Sequence, residues 1–410
     1  MRRGELEARL LVLVTLALVA FGLVMVYSAT SAAAAVGGAD PSYYLKRQGI
    51  YAAIGIALMV VVQRWDYRRL RPMAPTLVLV SLVLLVLVLA IGPAVNGARR
   101  WITVGPAAFQ PSELAKLALA VWAAAYLTRR APPADLRELG RPFGLVAGIF
   151  ALLLIFEPDL GTSIALMLML GAMLVVAGTP TRVLASATAI AATLGMLAIW
   201  LEPYRRARFF AFLHPWHDAQ GAGFQIVQAM IGMGSGHFFG VGLGQGVQKI
   251  FYLPEAHTDM MLANIGEELG LLGVAAVIVA YAIFAYAGLT IALACRDPFG
   301  KRLAAGLTVL VCGQAAVNIA AVMAVAPLTG IPLPFVSYGG SSLVVLLASV
   351  GIVLNIAHRG HAAAASVSDR RRRDGGARTA RARGRGGVEA TRRSRDVRRV
   401  ARSRRGTAGS

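Results

Sequence analysis

The chain has 410 residues, 57% of them hydrophobic and only 15% charged, with a mean hydropathy of +0.65 and a formal charge of +21. Such a composition excludes an ordinary soluble globular protein, and two cysteines, Cys295 and Cys312, exclude a disulfide framework or a thiolate metal cage. The charge suggests nucleic-acid binding only until it is located: from His358 onward 17 Arg stand against four acids, so +13 of the total lies in the C-terminal tail.

Apolar runs long enough to cross a bilayer, which takes ~20 helical residues, recur along the chain. The first, Leu10–Val26, follows "MRRGELEAR" and precedes the small residues "SATSAAAAV". It is long for a signal-peptide core and further spans follow, so it reads as an uncleaved first helix. Ten spans are expected, at about 10–28, 48–64, 75–92, 112–128, 143–157, 160–178, 183–201, 259–292, 303–326 and 336–357. The expected fold is an all-α polytopic membrane protein with a large extracytoplasmic loop, 202–258, between spans seven and eight.

Lys and Arg set the orientation. With the N-terminus in the cytoplasm, inside segments before the tail carry 15 of them, against eight outside: Lys46, Arg47, Arg99, Arg100, Arg205, Arg206, Arg208 and Lys249. Both termini are therefore expected in the cytoplasm. The outside cations group in "NGARRW" (96–101), "YRRARF" (204–209) and the approach to Lys249. Headgroup anchoring and binding of an anionic ligand explain such clusters equally well. No internal repeat announces an inverted-repeat transporter.

The fourth span opens with "QPSELAK", which puts Glu113 and Lys116 three residues apart on one helical face. A self-compensating pair and a role in a polar cavity are both open. In "EPDLGTS" (157–163), Glu157 and Asp159 sit in a tight turn between two spans, and Asp159 suits a helix N-cap. The long loop mixes Phe, Trp, Ile and Met with polar residues, so it reads as a cap of short amphipathic helices at the membrane face rather than a disordered linker. Its "GSGHFFGVGLGQG" has six glycines in 13 residues, which permits close backbone approach to a ligand or helix.

The loop closes with "YLPEAHTDMM" (252–261), where Asp259 opens the next apolar run. Asp259 has two readings: an N-cap that complements the helix dipole, or a carboxylate that removes a proton from an attacking hydroxyl while nearby cations hold an anionic leaving group. No metal-binding spacing surrounds His257, and Thr258 is suited to orient the carboxylate. Glu267 and Glu268 follow ~12–14 Å further along the helix axis, and at least one should face protein or a water-filled cavity. The tail, 359–410, is too poor in large apolar residues to bury a core and reads as a disordered, basic cytoplasmic segment attracted to anionic headgroups, with no nucleic-acid partner expected.

Seven stretches in order, "NGARRWI", "QPSELAK", "EPDLGT", "HPWHDAQGAGFQIVQ", "GVGLGQGVQKIFYLPEAHTD", "IGEELG" and "GIPLPFVSYGGSS", resemble the motifs of the SEDS family (shape, elongation, division and sporulation). The resemblance covers about 10–358 and is nearer the division type than the elongation type. Two stretches depart from the common pattern, "EPDLGT" in place of "QPDLGT" and "HTDMML" in place of "HTDFIF".

The resemblance implies a ten-span fold and a peptidoglycan glycosyltransferase that polymerises lipid II at the outer face of the cytoplasmic membrane, for septal wall synthesis. It implies Asp259 as the catalytic base. The family's arginine before the "HPW" segment falls at Arg205, Arg206 or Arg208, Arg208 being favoured by its spacing to Pro215; with the external Arg99, Arg100 and Lys249, Arg205 and Arg208 are the candidate pyrophosphate-binding cations. Glu113, Lys116, His257, Thr258, Glu267 and Ser337 would be supporting residues. It also implies a class B penicillin-binding protein (a transpeptidase) and other division proteins as partners. No resident cofactor is expected; Mg²⁺ or Mn²⁺ is the candidate to assist pyrophosphate departure, although the sequence shows no cation cage. Rival readings are a lipid II flippase, an elongation-type polymerase and a non-catalytic scaffold.

Overall fold

The structure is a computed structural model that describes residues 4–36, 40–94, 98–105, 107–250, 253 and 255–359. The basic tail and the residues Tyr252 and Pro254 of "YLPEAHTDMM" lie outside the described residues.

Apolar runs become helices because backbone polar groups in lipid must be satisfied within their own segment. The helices are α1 (Glu5–Val36), α2 (Tyr43–Arg64), α3 (Leu70–Ile91), α4 (Pro111–Arg129), α5 (Leu136–Leu139), α6 (Leu145–Phe156), α7 (Leu160–Ala177), α8 (Thr181–Leu201), α9 (Pro203–Leu213), α10 (Phe224–Ser235), α11 (Met261–Ala294), α12 (Pro298–Val322) and α13 (Gly340–Arg359). Among the described residues nine segments are long and apolar enough to cross a membrane. The expected fourth span is not one of the nine. It is α4, a 19-residue helix with Glu113 and Lys116 in its first two turns. Those charges are tolerable because α4 is interior: both side chains and most of its Ala and Leu residues are buried.

The core forms where α12 packs on α11, α7 and α4, with α1 on the other side of α11 and α3 against α4. α13 is enclosed over most of its length, whereas α8 buries only Val183. The chain is not wholly helical. Ile102–Val104 pairs antiparallel with Ala107–Phe109, Ile102 opposite Phe109, in a short hairpin that the apolar-run reading does not contain.

Between α8 and α11 the segment holds α9, a 3₁₀ turn at Pro215–Asp218 and α10, so short helices occur there. α11 itself is broken. Gly270 has φ 65° and ψ −161°, a region open essentially to glycine, so the first turns of α11 are uncoupled from the rest. The glycine-rich segment fills the break. Leu271 N donates to His237 O (2.9 Å) and Leu272 N to Phe238 O (3.3 Å), while Val241 N and Gly242 N donate to the carbonyls of Glu267 and Glu268, each at 3.0 Å. A Cβ at Gly270 would lie 2.4 Å from Gly240 N and 2.7 Å from Phe238 O, so the contact is backbone on backbone.

Candidate functional site

Asp259 lies in a tight turn, 255–260, just before α11. Thr258 N (3.1 Å) and Met260 N (3.3 Å) both donate to Glu255 O. The N-cap reading of Asp259 is not what the structure shows: the cap of α11 is Met260, and no side chain makes a capping bond there. The Asp259 main chain is instead pinned from α12, where Asn318 Nδ2 donates to Asp259 O and to Ile331 O, each at 2.7 Å. The carboxylate accepts from the Thr258 hydroxyl, which donates to Oδ1 at 3.3 Å, and from its own main-chain amide, and is only 9% exposed. Burial foremost, then the nearby Glu255 charge, pushes its pKa up to about 6, against the pull of Arg208 and Thr258. A buried carboxylate with a pKa raised to about 6 has the properties of a general base.

Three segments pack around the Asp259 turn. The His257 ring packs against Tyr44 (4.8 Å) and Tyr338 (5.7 Å), and Tyr338 N donates to His257 O at 2.8 Å. Burial lowers the His257 pKa, so the ring is a neutral aromatic wall. The 329–338 segment runs past Asp259, with a Cβ at Gly330 falling 4.0 Å from Asp259 Oδ2. Ser337 Oγ accepts from Leu333 N (3.0 Å) and its carbonyl from Gln48 Nε2 (3.2 Å), so Ser337 shapes that segment. The "EPDLGT" turn packs behind it: a Cβ at Gly161 would collide with Ile331 at 2.3 Å. Asp159 is the N-cap of α7, accepting from Thr162 N at 3.0 Å, as its position in the sequence suggests.

The five cations expected to hold an anion are not one cluster. Arg208 stands over the Tyr204 ring at 4.9 Å, and its charge acts on Asp259. Arg205 reaches back to Ile155 O (2.5 Å) and Ala198 O (3.3 Å), tying α9 to α6 and α8. Arg100 donates to Glu157 O (2.9 Å) and Pro158 O, holding the turn next to the 329–331 segment. Arg99 is exposed and donates to Leu89 O and Ala90 O. Lys249 departs from expectation: it is buried, with Nζ 2.5 Å from Glu268 Oε1 and 3.1 Å from Ser28 Oγ. An external cation would keep its ammonium in water, whereas this one is neutralised inside the protein.

Glu267 is likewise internal, accepting from Val247 N (2.7 Å) and Gln248 N (3.2 Å). Glu113 and Lys116 form a buried ion pair at 2.9 Å, with Glu113 Oε2 unpartnered. The self-compensating reading therefore describes their geometry, with one oxygen left over. Sequence reasoning missed Asn318 as the residue that holds the Asp259 main chain, because a lone Asn in an apolar run carries no partner in its spacing. Among the described residues no three His, Cys, Asp or Glu side chains converge to hold a metal ion.

The model of the FtsW/RodA/SpoVE family, described as cell cycle protein, matches residues 8–362. The chain is 42% identical over 352 residues to the probable peptidoglycan glycosyltransferase FtsW of Geobacter sulfurreducens (strain DL-1 / KN400), covering 85% of this chain and 94% of that protein. With the protein of the same name from Trichlorobacter lovleyi it shares 44% over 349 residues, 84% and 92% of the two chains. A solved chain described as "Structural coordination of polymerization and crosslinking by a peptidoglycan synthase complex" superposes with a TM-score of 0.71 at 31% identity, over 85% of this chain and 97% of that one. The rod shape determining protein RodA of Thermus thermophilus gives a TM-score of 0.63 at 30% identity, over 85% and 95%.

Proposed function

The chain belongs to the SEDS family, that of FtsW, RodA and SpoVE, and on that premise we propose that it is a peptidoglycan glycosyltransferase that polymerises lipid II with Asp259 as its base. The observation that carries the reading is the Asp259 carboxylate, buried and pinned through its main chain yet free of any capping bond.

In the proposed reaction the 4-hydroxyl of an incoming lipid II sugar approaches Asp259, which takes its proton. The hydroxyl oxygen forms a bond to the anomeric carbon of the growing strand's terminal sugar. The bond from that carbon to the polyprenyl pyrophosphate breaks, and the electron pair leaves on phosphate oxygen. One displacement inverts the anomeric centre. Pyrophosphate leaves as a stable anion, so no second carboxyl group is needed to protonate it. Arg208 is the lead cation for that charge, with Arg99, Arg100 and Arg205 as the surrounding basic rim. Lys249 is omitted because Glu268 already neutralises it. The cofactor proposal is Mg²⁺ or Mn²⁺ accompanying the pyrophosphate rather than one caged by the chain.

The same reading makes α4 a tenth span, puts both termini in the cytoplasm and the 202–258 segment outside. A septal role is favoured because relatives at 42–44% identity carry the FtsW name, while the RodA structure shares 30%. A class B transpeptidase is the proposed partner, supported by the solved complex that couples polymerisation to crosslinking. The test is purified protein with that partner in liposomes containing labelled lipid II. Glycan strands support the reading; translocation of lipid II without polymer would favour the transporter.

A further inference from the structure

The glycine-rich segment between α10 and α11 presents an unusual surface. Phe239 is 80% exposed and Phe238 64%, with Val241, Leu243 and Val247 also exposed. No Asp, Glu, Lys or Arg occurs from Gly234 to Gln248. A water-facing loop of this composition would be a contiguous exposed apolar patch, which soluble surfaces rarely carry without a partner.

The patch is continuous with a surface already facing lipid. Leu271 and Leu272, whose amides bond His237 O and Phe238 O, are themselves exposed. They begin an exposed apolar stripe that continues along α11 through Ile278 and Val279 at helical spacing. From Gly270 to Ala294 the helix rises ~36 Å at ~1.5 Å per residue, against a hydrocarbon core ~30 Å thick. Gly270, and the segment wrapped on it, therefore fall at the hydrocarbon–headgroup boundary at the Met261 end of α11.

Irregular backbone is tolerated at that depth only when its polar groups are satisfied by protein. Here they are. The Glu267 and Glu268 carbonyls accept from Val241 N and Gly242 N, and their carboxylates accept from Gly244 N (3.1 Å), Val247 N and Gln248 N. Lys249 then neutralises Glu268 from within. The hydrogen bonds point inward and the apolar side chains outward.

We propose that residues 237–247 form a membrane-inserted loop whose Phe238, Phe239, Val241 and Leu243 side chains lie among phospholipid acyl chains at the headgroup boundary. The inference is independent of the role of Asp259. The loop anchors the segment that precedes the Asp259 turn to the bilayer surface, and it fastens the bilayer to the break in α11.

The test is spin-label accessibility on the full chain in phosphatidylethanolamine/phosphatidylglycerol vesicles, with Cys295→Ala and Cys312→Ala as background. Single cysteines Phe239→Cys and Leu243→Cys are compared with Leu272→Cys as the lipid reference and Ala134→Cys, in an exposed connection, as the aqueous reference. Oxygen accessibility several-fold above that of a water-soluble nickel chelate at 239 and 243, as at 272, is the expected result. A nickel-dominated ratio at those two sites, matching 134, overturns the proposal. Exclusion of both reagents at 239 and 243 also overturns it, because the patch would then be covered by protein. Phe239 is too exposed for its replacement to disturb the core.

Discussion

Lys249 Nζ and Glu268 Oε1 meet at 2.5 Å with both side chains enclosed, one from the segment before Asp259 and the other from the first turns of α11. Ser28 of α1 donates to the same carboxylate. The pair thus ties together the loop, the short first part of the broken helix, and α1. Removing one partner of a buried pair strands the other charge, which costs about 3–5 kcal/mol. Lys249→Met should lower the unfolding free energy by an amount of that order, read as a lowered thermal midpoint in detergent or nanodiscs. Lys249→Met combined with Glu268→Leu should recover much of the loss.

Gly270 should resist substitution for two reasons that act together. Its positive φ is strained for any L side chain, and a Cβ there meets Gly240 N at 2.4 Å. Gly270→Ala is expected to destabilise by at least about 1–3 kcal/mol, the usual cost of such a backbone conformation, with the clash added. Limited proteolysis should show earlier cleavage in 236–249 than in the unmodified protein.

The pH dependence of polymerisation has a definite sign. Asp259, with a pKa raised to about 6, must be ionised to act as base, so activity should fall as pH drops through about 6. Glu255 raises that pKa and Arg208 lowers it. Glu255→Gln should move the acidic limb of the pH–rate profile downward, and Arg208→Gln should move it upward while also weakening pyrophosphate binding. A profile unmoved by both would separate Asp259 from the titrating group.

Glu157 is fully enclosed, with neither carboxylate oxygen partnered, and its pKa is raised to about 8 chiefly by burial and next by Asp159. A carboxyl group whose folded pKa exceeds its unfolded value holds its proton longer in the folded state. Folding is therefore favoured most below about pH 4.5, and that contribution is lost as pH rises towards about 8. Glu157→Gln keeps the shape without the ionisation. It should raise the unfolding free energy at pH 8 by more than at pH 5, by about 1–3 kcal/mol at the higher pH, the scale of an unsatisfied buried polar group.

The spans were legible because lipid imposes a continuous apolar run on each, and their observed ends fall within a few residues of expectation for α7, α8 and α11. The hairpin at 102–109 was not, since its pairing depends on two three-residue strands too short to show a period. The order of motifs pointed to Asp259, but spacing alone could not separate cap from base. The structure removes the cap, because Met260 takes that position, and leaves the base role to experiment. Lys249 was misread for the opposite reason: a cation in a long loop looks solvated until its partner, 19 residues later, is seen to fold back on it. Glu267 and Glu268 were expected to face protein or a water-filled cavity, and both are enclosed in protein, but their partners (backbone amides of an irregular segment, and for Glu268 also Lys249 and Ser28) follow no periodicity.

The base assignment is tested most directly by Asp259→Asn, purified with the transpeptidase partner and supplied with labelled lipid II. The substitution keeps the size of the side chain and leaves the main-chain bond from Asn318 in place. A folded, partner-bound variant whose polymerisation is at least about 10²-fold slower is the expected result, the scale of a lost general base. Polymerisation by that variant at the unmodified rate would contradict the account.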